Sequence, residues 1–231
     1  MRPKKMAERF MISASTIRNY EAKGLIPPAE RSSNGYRIYT DLHAAYLSCI
    51  QAMAQPFGME LTAEVLHCLH QNKPQNAMWI IREKEIVLYE EKEKLERLIE
   101  DIRIYSNEDK SPYAGEPFTI DEASELTQAS TSAIRYWDRA GYVIADRDPA
   151  NRYRQYSGSH LLKIRLIQML QNSAYSEDTV NFRQSIAATE HTDLQGVMEV
   201  AENIRIYLDK ILESQMRGIS CLYELIQFTK A

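Results

Sequence analysis

Apolar positions along this chain recur at two spacings, every three to four residues and every second residue, and the order of those spacings occurs twice. Helical spacing runs over roughly 4–10 and 13–22. Aromatics then alternate with other residues in Tyr36-Arg37-Ile38-Tyr39, and helical spacing resumes over 41–54 and 61–71. The second pass repeats this over 121–127, 130–139, Tyr153-Arg154-Gln155-Tyr156, 158–171 and 176–187. Ser13 and Ser130 stand where the second helix of each pass should begin, because a serine oxygen accepts from the unpaired amides of a first turn. Gly24 and Gly141 stand where it should end. Asn34-Gly35 before the alternating stretch predicts the turn of a short hairpin.

Each pass closes on a longer helical stripe. Ile81, Leu88, Leu95 and Ile102 recur every seven residues, joined by Leu98 and Tyr105. In the second pass Val197, Ala201, Ile204, Leu208, Ile211, Gln215, Ile219, Leu222 and Ile226 keep a three-and-four spacing. Both suit a coiled-coil seam, with the charge run Glu90–Lys94 as its solvated face. Pro112, Gly115 and Pro117 mark 106–117 as a linker. The expected organisation is a module over 1–72, a long helix over 76–105, the linker, a second module over 118–190 and a long helix over 194–228.

Shifting the chain by 117 residues superposes the two passes. Ile17-Arg18-Asn19-Tyr20-Glu21 falls over Ile134-Arg135-Tyr136-Trp137-Asp138, and Gly24 over Gly141. Asn34, Tyr36, Arg37 and Tyr39 fall over Asn151, Tyr153, Arg154 and Tyr156, and His43 over His160. The module is duplicated.

Composition narrows the function. No run of eighteen apolar residues occurs, so no membrane span is expected, and three widely spaced cysteines (Cys49, Cys68, Cys221) suit free thiols in a reducing cytoplasm. The net charge of −4 counts against a nucleic-acid binder until its distribution is read. Residues 1–40 hold eight Lys and Arg against three Asp and Glu, and 131–165 hold seven against three. His67, Cys68 and His70 share a helix, but with no second ligand pair they do not make a metal site. No nucleophile–base pair, glycine-rich phosphate loop or paired carboxylates suggest an enzyme, and no cofactor is expected.

A helix that enters the major groove needs polar and basic residues on its outer face. The second helix of the first copy offers Ser15, Thr16, Arg18, Asn19 and Lys23; that of the second copy offers Ser132, Arg135, Tyr136 and Arg139. The hairpin behind each is a candidate wing, with Tyr36, Arg37 and Tyr39 in one and Arg152, Tyr153 and Arg154 in the other, the arginines set to meet phosphate. Tyr20 and Trp137 suit either core packing or DNA contact. The run Ile12–Glu21 followed by Gly24-Leu25-Ile26-Pro27 and Gly35-Tyr36-Arg37-Ile38-Tyr39 resembles the MerR family of bacterial transcription regulators. That resemblance implies a winged helix-turn-helix and antiparallel dimerisation through the long helix; with the module duplicated, the expected fold is mainly α, two winged helix-turn-helix modules each followed by a long helix, the two long helices pairing as an antiparallel coiled coil. It further implies double-stranded DNA as partner, with RNA polymerase at the promoter as a further one, and regulation by distorting promoter DNA. Thr16, Arg18, Tyr20, Tyr36 and Arg37 would then lie at DNA, with Arg135, Trp137, Tyr153 and Arg154 as counterparts.

The chain departs from the family pattern at the turn glycine, which is Met11 in one copy and Gln128 in the other, and at the second wing's glycine, which is Arg152. Two modules and two long helices in one chain point to a single-chain pseudo-dimer reading an imperfect inverted repeat. The competing readings are an architectural DNA binder and a protein-interaction module that kept the fold.

Overall fold

The computed structural model describes residues 1–106, 117–171, 177–190 and 193–230, so the expected linker at 106–117 lies almost wholly outside the described residues. The chain is mainly helical and divides into two compact units, Met1–Leu88 with Asp209–Ala231, and Tyr89–Leu208. The division falls inside both long helices rather than between module and helix.

The first unit begins with α1 (Pro3–Arg9) and α2 (Ala14–Ala22), continues through the hairpin β1 (Glu30–Arg31) and β2 (Arg37–Ile38), then α3 (Asp41–Phe57) and α4 (Met59–His70), and enters the long α5 (Pro74–Ser106). The second unit repeats the order with α6 (Ile120–Thr127), α7 (Thr131–Arg139), β3 (Asp146–Arg147), β4 (Arg154–Gln155), α8 (Gly158–Gln171), α9 (Glu177–Ala188) and the start of the long α10 (Leu194–Lys230). Both copies are winged helix-turn-helix modules followed by a long helix. Among the described residues no helix is long and apolar enough to cross a membrane.

Local chemistry sets these boundaries. Ser13 Oγ accepts the Thr16 amide at 2.9 Å and Ser130 Oγ the Ala133 amide at 3.2 Å, each satisfying a donor that the helix cannot. At the far ends Gly24 and Gly141 turn the chain left-handed, φ +66° and +78°. That lets the Leu25 amide reach the Tyr20 carbonyl and the Tyr142 amide the Trp137 carbonyl, at 2.8 and 2.9 Å. The hairpins pair antiparallel, Arg31 with Arg37 and Arg147 with Arg154. A third extended piece lies on each: Met1 exchanges backbone bonds with Tyr39 as Phe118 does with Tyr156. In the same corner His43 Nδ1 accepts the Thr40 amide and His160 Nδ1 the Ser157 amide, both at 3.0 Å, which anchors the start of α3 and α8.

The departures from the family's glycine pattern leave the backbone unchanged. Met11, Gln128 and Arg152 are all left-handed, at φ +52°, +58° and +65°, as Gly35 is at +78°. A side chain in that region costs roughly 1–2 kcal/mol, so the fold holds these turns against local preference.

Packing inside each unit draws on both long helices. The first core joins Met6, Ile17, Leu47, Ile50, Met53 and Leu66 to Ala77 and Ile81 of α5 and to Leu222, Leu225 and Ile226 of α10. Gly218 of α10 lies so close to α3 that a Cβ there would stand 3.1 Å from Phe57 and 3.3 Å from Met53. In the second unit Leu95, Leu98, Ile99 and Ile102 of α5 are buried, as are Val197, Ala201, Ile204 and Leu208 of α10. Arg103 of α5 lies 3.8 Å from Glu202 of α10, and Arg165 of α8 bonds Asp101 of α5.

Met11→Gly should raise stability by about 1 kcal/mol, because it releases the left-handed strain at an exposed side chain that contributes little packing. Denaturant titration checks this; a loss of stability would mean that the methionine side chain holds the turn.

Candidate nucleic-acid interface

The surface formed by α2 and its wing rests on a single carboxylate. Glu21, at the end of α2, accepts the Ala29 amide on Oε1 at 3.1 Å and the Arg37 Nε–H on Oε2 at 2.7 Å. It therefore holds the loop leaving the recognition helix and the returning strand of the wing together. The second copy repeats the bracket with a shorter side chain. Asp138 accepts the Ala145 amide on Oδ1 at 3.3 Å and the Arg154 Nε–H on Oδ2 at 2.6 Å. One methylene fewer is matched by one residue fewer between carboxylate and amide. The second wing tip is in turn one residue longer, closing between Asp148 and Tyr153 rather than between Ser32 and Tyr36.

Burial alone would raise the Glu21 carboxyl above its ordinary value of 4.5, but the Ala29 amide and the Arg37 guanidinium outweigh it and hold it lower. Its folded value is thus below its unfolded one. The stability contributed by this bracket is fully present above the ordinary glutamate value and is lost as pH falls through the lowered one.

With the wing fixed, the expected contact residues separate into two groups. Ser15, Arg18 and Asn19 on α2 and Lys23 at its end are exposed, as are Ser132, Arg135, Tyr136 and Arg139 on α7. The wing tips present Tyr36, 70% exposed, and Tyr153, 74% exposed, together with Arg152. Thr16 is half-buried, its hydroxyl 2.8 Å from Ser13 Oγ, and Tyr20 is half-buried against the core. Beneath this face Ile17 and Ile134 are fully buried and fix which side of each helix points outward.

Two expectations are corrected. Tyr39 and Trp137 are each only 1% exposed, so neither reaches DNA; they are core residues under the wing and the recognition helix. Arg37 and Arg154 are only about a third exposed and their Nε–H groups are on Glu21 and Asp138, so they are wing anchors and not the unpartnered cations expected. His67 and His70 have structural partners: the His67 ring lies 3.1 Å from the Lys23 carbonyl, and His70 stacks on Tyr46.

Sequence reading missed other residues of this face. Glu21 and Asp138 were in the matched runs, yet sixteen residues separate each from its arginine, and no local pattern joins them. Arg31 is exposed on the wing with its Nη1 on the Gly35 carbonyl at 3.2 Å, and Arg2, Lys4 and Lys5 are exposed on and before α1. Their only signal was the local excess of positive charge.

Comparison with known proteins agrees with this geometry. One family model, the MerR family regulatory protein, matches residues 2–39, and a second, the MerR HTH family regulatory protein, matches 118–180. The HTH-type transcriptional regulator CueR of Escherichia coli O157:H7 is 33% identical over 98 residues, covering 42% of this chain and 69% of that protein. CueR of Salmonella typhi is 34% identical over 73 residues, 31% of this chain and 53% of its own length. The uncharacterized HTH-type transcriptional regulator YyaN of Bacillus subtilis is 37% identical over 57 residues, 25% of this chain and 41% of its length. No solved structure matches.

A double-mutant cycle tests the bracket. Glu21→Gln should cost about 1–2 kcal/mol of unfolding free energy. Arg37→Gln made in that background should cost distinctly less than it does alone, a coupling of about 1 kcal/mol. Additive losses would show that the pair does not hold the wing.

Proposed function

Since the chain belongs to the MerR family of regulatory proteins, we propose that it is a sequence-specific regulator working as a single-chain pseudo-dimer on promoter DNA. The observation that carries this reading is the duplicated bracket. Both copies spend a carboxylate and an arginine on holding a wing beside a recognition helix, and both leave a polar, cationic helix face exposed above it. A fold retained only for packing would have no need to keep two such faces clear.

On this reading 1–72 and 118–190 are the DNA-reading modules, and 76–105 and 194–228 pair as an antiparallel coiled coil. Two facts support the pairing. Ala77 and Ile81 share a core with Leu222, Leu225 and Ile226, while Arg103 meets Glu202. The position along α10 thus falls as that along α5 rises, as antiparallel helices require. The modules then act as the halves that a homodimer would otherwise supply, with Arg18, Asn19, Lys23 and Tyr36 at one half-site and Arg135, Tyr136, Arg139 and Tyr153 at the other. Because those sets differ, the site is an inverted repeat with unlike halves. Distortion of the promoter, and RNA polymerase as the partner that benefits from it, complete the proposal.

Selection of bound duplexes from a random pool tests it. The expected winner is an imperfect inverted repeat in which Arg18→Ala relaxes preference in one half and Arg135→Ala in the other. Perfectly symmetric winners would contradict the pseudo-dimer. No enriched sequence would contradict sequence-specific regulation and favour an architectural or protein-binding role.

A further inference from the structure

The two modules share a fold but carry opposite charge on the same helix. Lys4 and Lys5 of α1 occupy the positions that Asp121 and Glu122 occupy in α6, and all four are exposed. Over matched windows the contrast is larger: residues 1–40 hold eight cations against three anions, whereas 118–157 hold five against six. The four charged residues face outward, whereas Met6 and Ala123, one position further on, are buried.

Only the second module's choice suits helix stability. In α6 the Glu122 carboxylate accepts the Thr119 amide at 2.7 Å and closes a capping box. In α1 no side chain caps the helix and no acid lies in its first turn, where two lysines oppose the helix dipole instead. Among the described residues neither Lys4 nor Lys5 has an ion-pair partner. Exposed and unpaired among the described residues, these cations are available to an anionic ligand. Lys5 and Arg2 also border an open groove of about 600 Å³ beside the wing, lined further by Ile38, Thr40 and a single carboxylate, Asp41. In a helix-turn-helix the first helix crosses the nucleic-acid backbone, so the ligand that fits is phosphate.

We propose that α1 is a phosphate-binding element that makes the first module the anchor on DNA, while the acidic α6 holds the second module's grip weak. This rests on the DNA-binding reading given above. The chain therefore docks through one strong, salt-sensitive half and one weak half whose hold depends on base contacts. Promoters that differ only in the second half-site would be sorted by it, because the first module contributes similar backbone affinity to all of them.

The test uses the full chain and a duplex of random sequence, with affinity followed by fluorescence anisotropy between 50 and 300 mM salt. Lys4→Gln/Lys5→Gln should weaken binding by roughly ten- to a hundredfold at low salt and lower the slope of log affinity against log salt by about two. Asp121→Asn/Glu125→Gln, which spares the capping Glu122, should tighten binding by roughly two- to tenfold. Thermal melting should change only slightly, upward in the lysine variant and downward in the acidic-helix variant, as the helix dipoles require. An unchanged salt slope in the lysine variant, or weaker binding in the acidic-helix variant, overturns the assignment while leaving the DNA-binding reading intact. A parent chain that binds no duplex even at 50 mM salt overturns both.

Discussion

The bracket made by a carboxylate at the end of each recognition helix is the constraint on which the remaining surface depends. A two-residue strand pair is too short to hold itself in water. The wings of this protein are of that length, and their position is fixed from outside by Glu21 on Arg37 and Asp138 on Arg154. The same carboxylates take the amides of Ala29 and Ala145, so the loop leaving the recognition helix is fixed with the wing. Tyr39 of the first module and Trp137 of the second are buried core residues. A recognition helix and a wing tip thereby present their exposed side chains as one rigid surface.

Duplication shows what this surface needs and what it tolerates. The bracket is made with glutamate in one copy and aspartate in the other, the connecting loop one residue shorter and the wing tip one residue longer where the side chain is shorter. The left-handed turns survived loss of their glycines, since Met11, Gln128 and Arg152 keep the conformation at a cost in strain. Charge is not shared: Lys4 and Lys5 of one copy are matched by Asp121 and Glu122 of the other. Geometry is held in both modules while the electrostatics of their surfaces differ.

Much of this was legible in the sequence, and the parts that were not share a cause. Ser13 and Ser130 marked helix starts because capping is local, and Ile17 and Ile134 marked buried faces because helical period is local. The seam residues Ile81, Leu95 and Ile102 were found the same way and are buried. Tyr39 and Trp137 were misplaced because an amphipathic aromatic beside cations has the same sequence signature whether it faces core or ligand. Arg37 and Arg154 were read as free because their partners lie sixteen residues away, across a loop whose path only the folded chain defines. The cations of α1 were counted but not assigned, since a sum over a window does not show which face carries the charge.

The account comes down to one chain supplying both halves of a DNA-reading dimer. Native mass measurement of the protein on a duplex carrying its selected site tests this most directly. The account requires a complex with one 26.7 kDa chain per duplex, and a footprint over both half-sites. Two chains per duplex, each protecting one half-site through its first module, would contradict it.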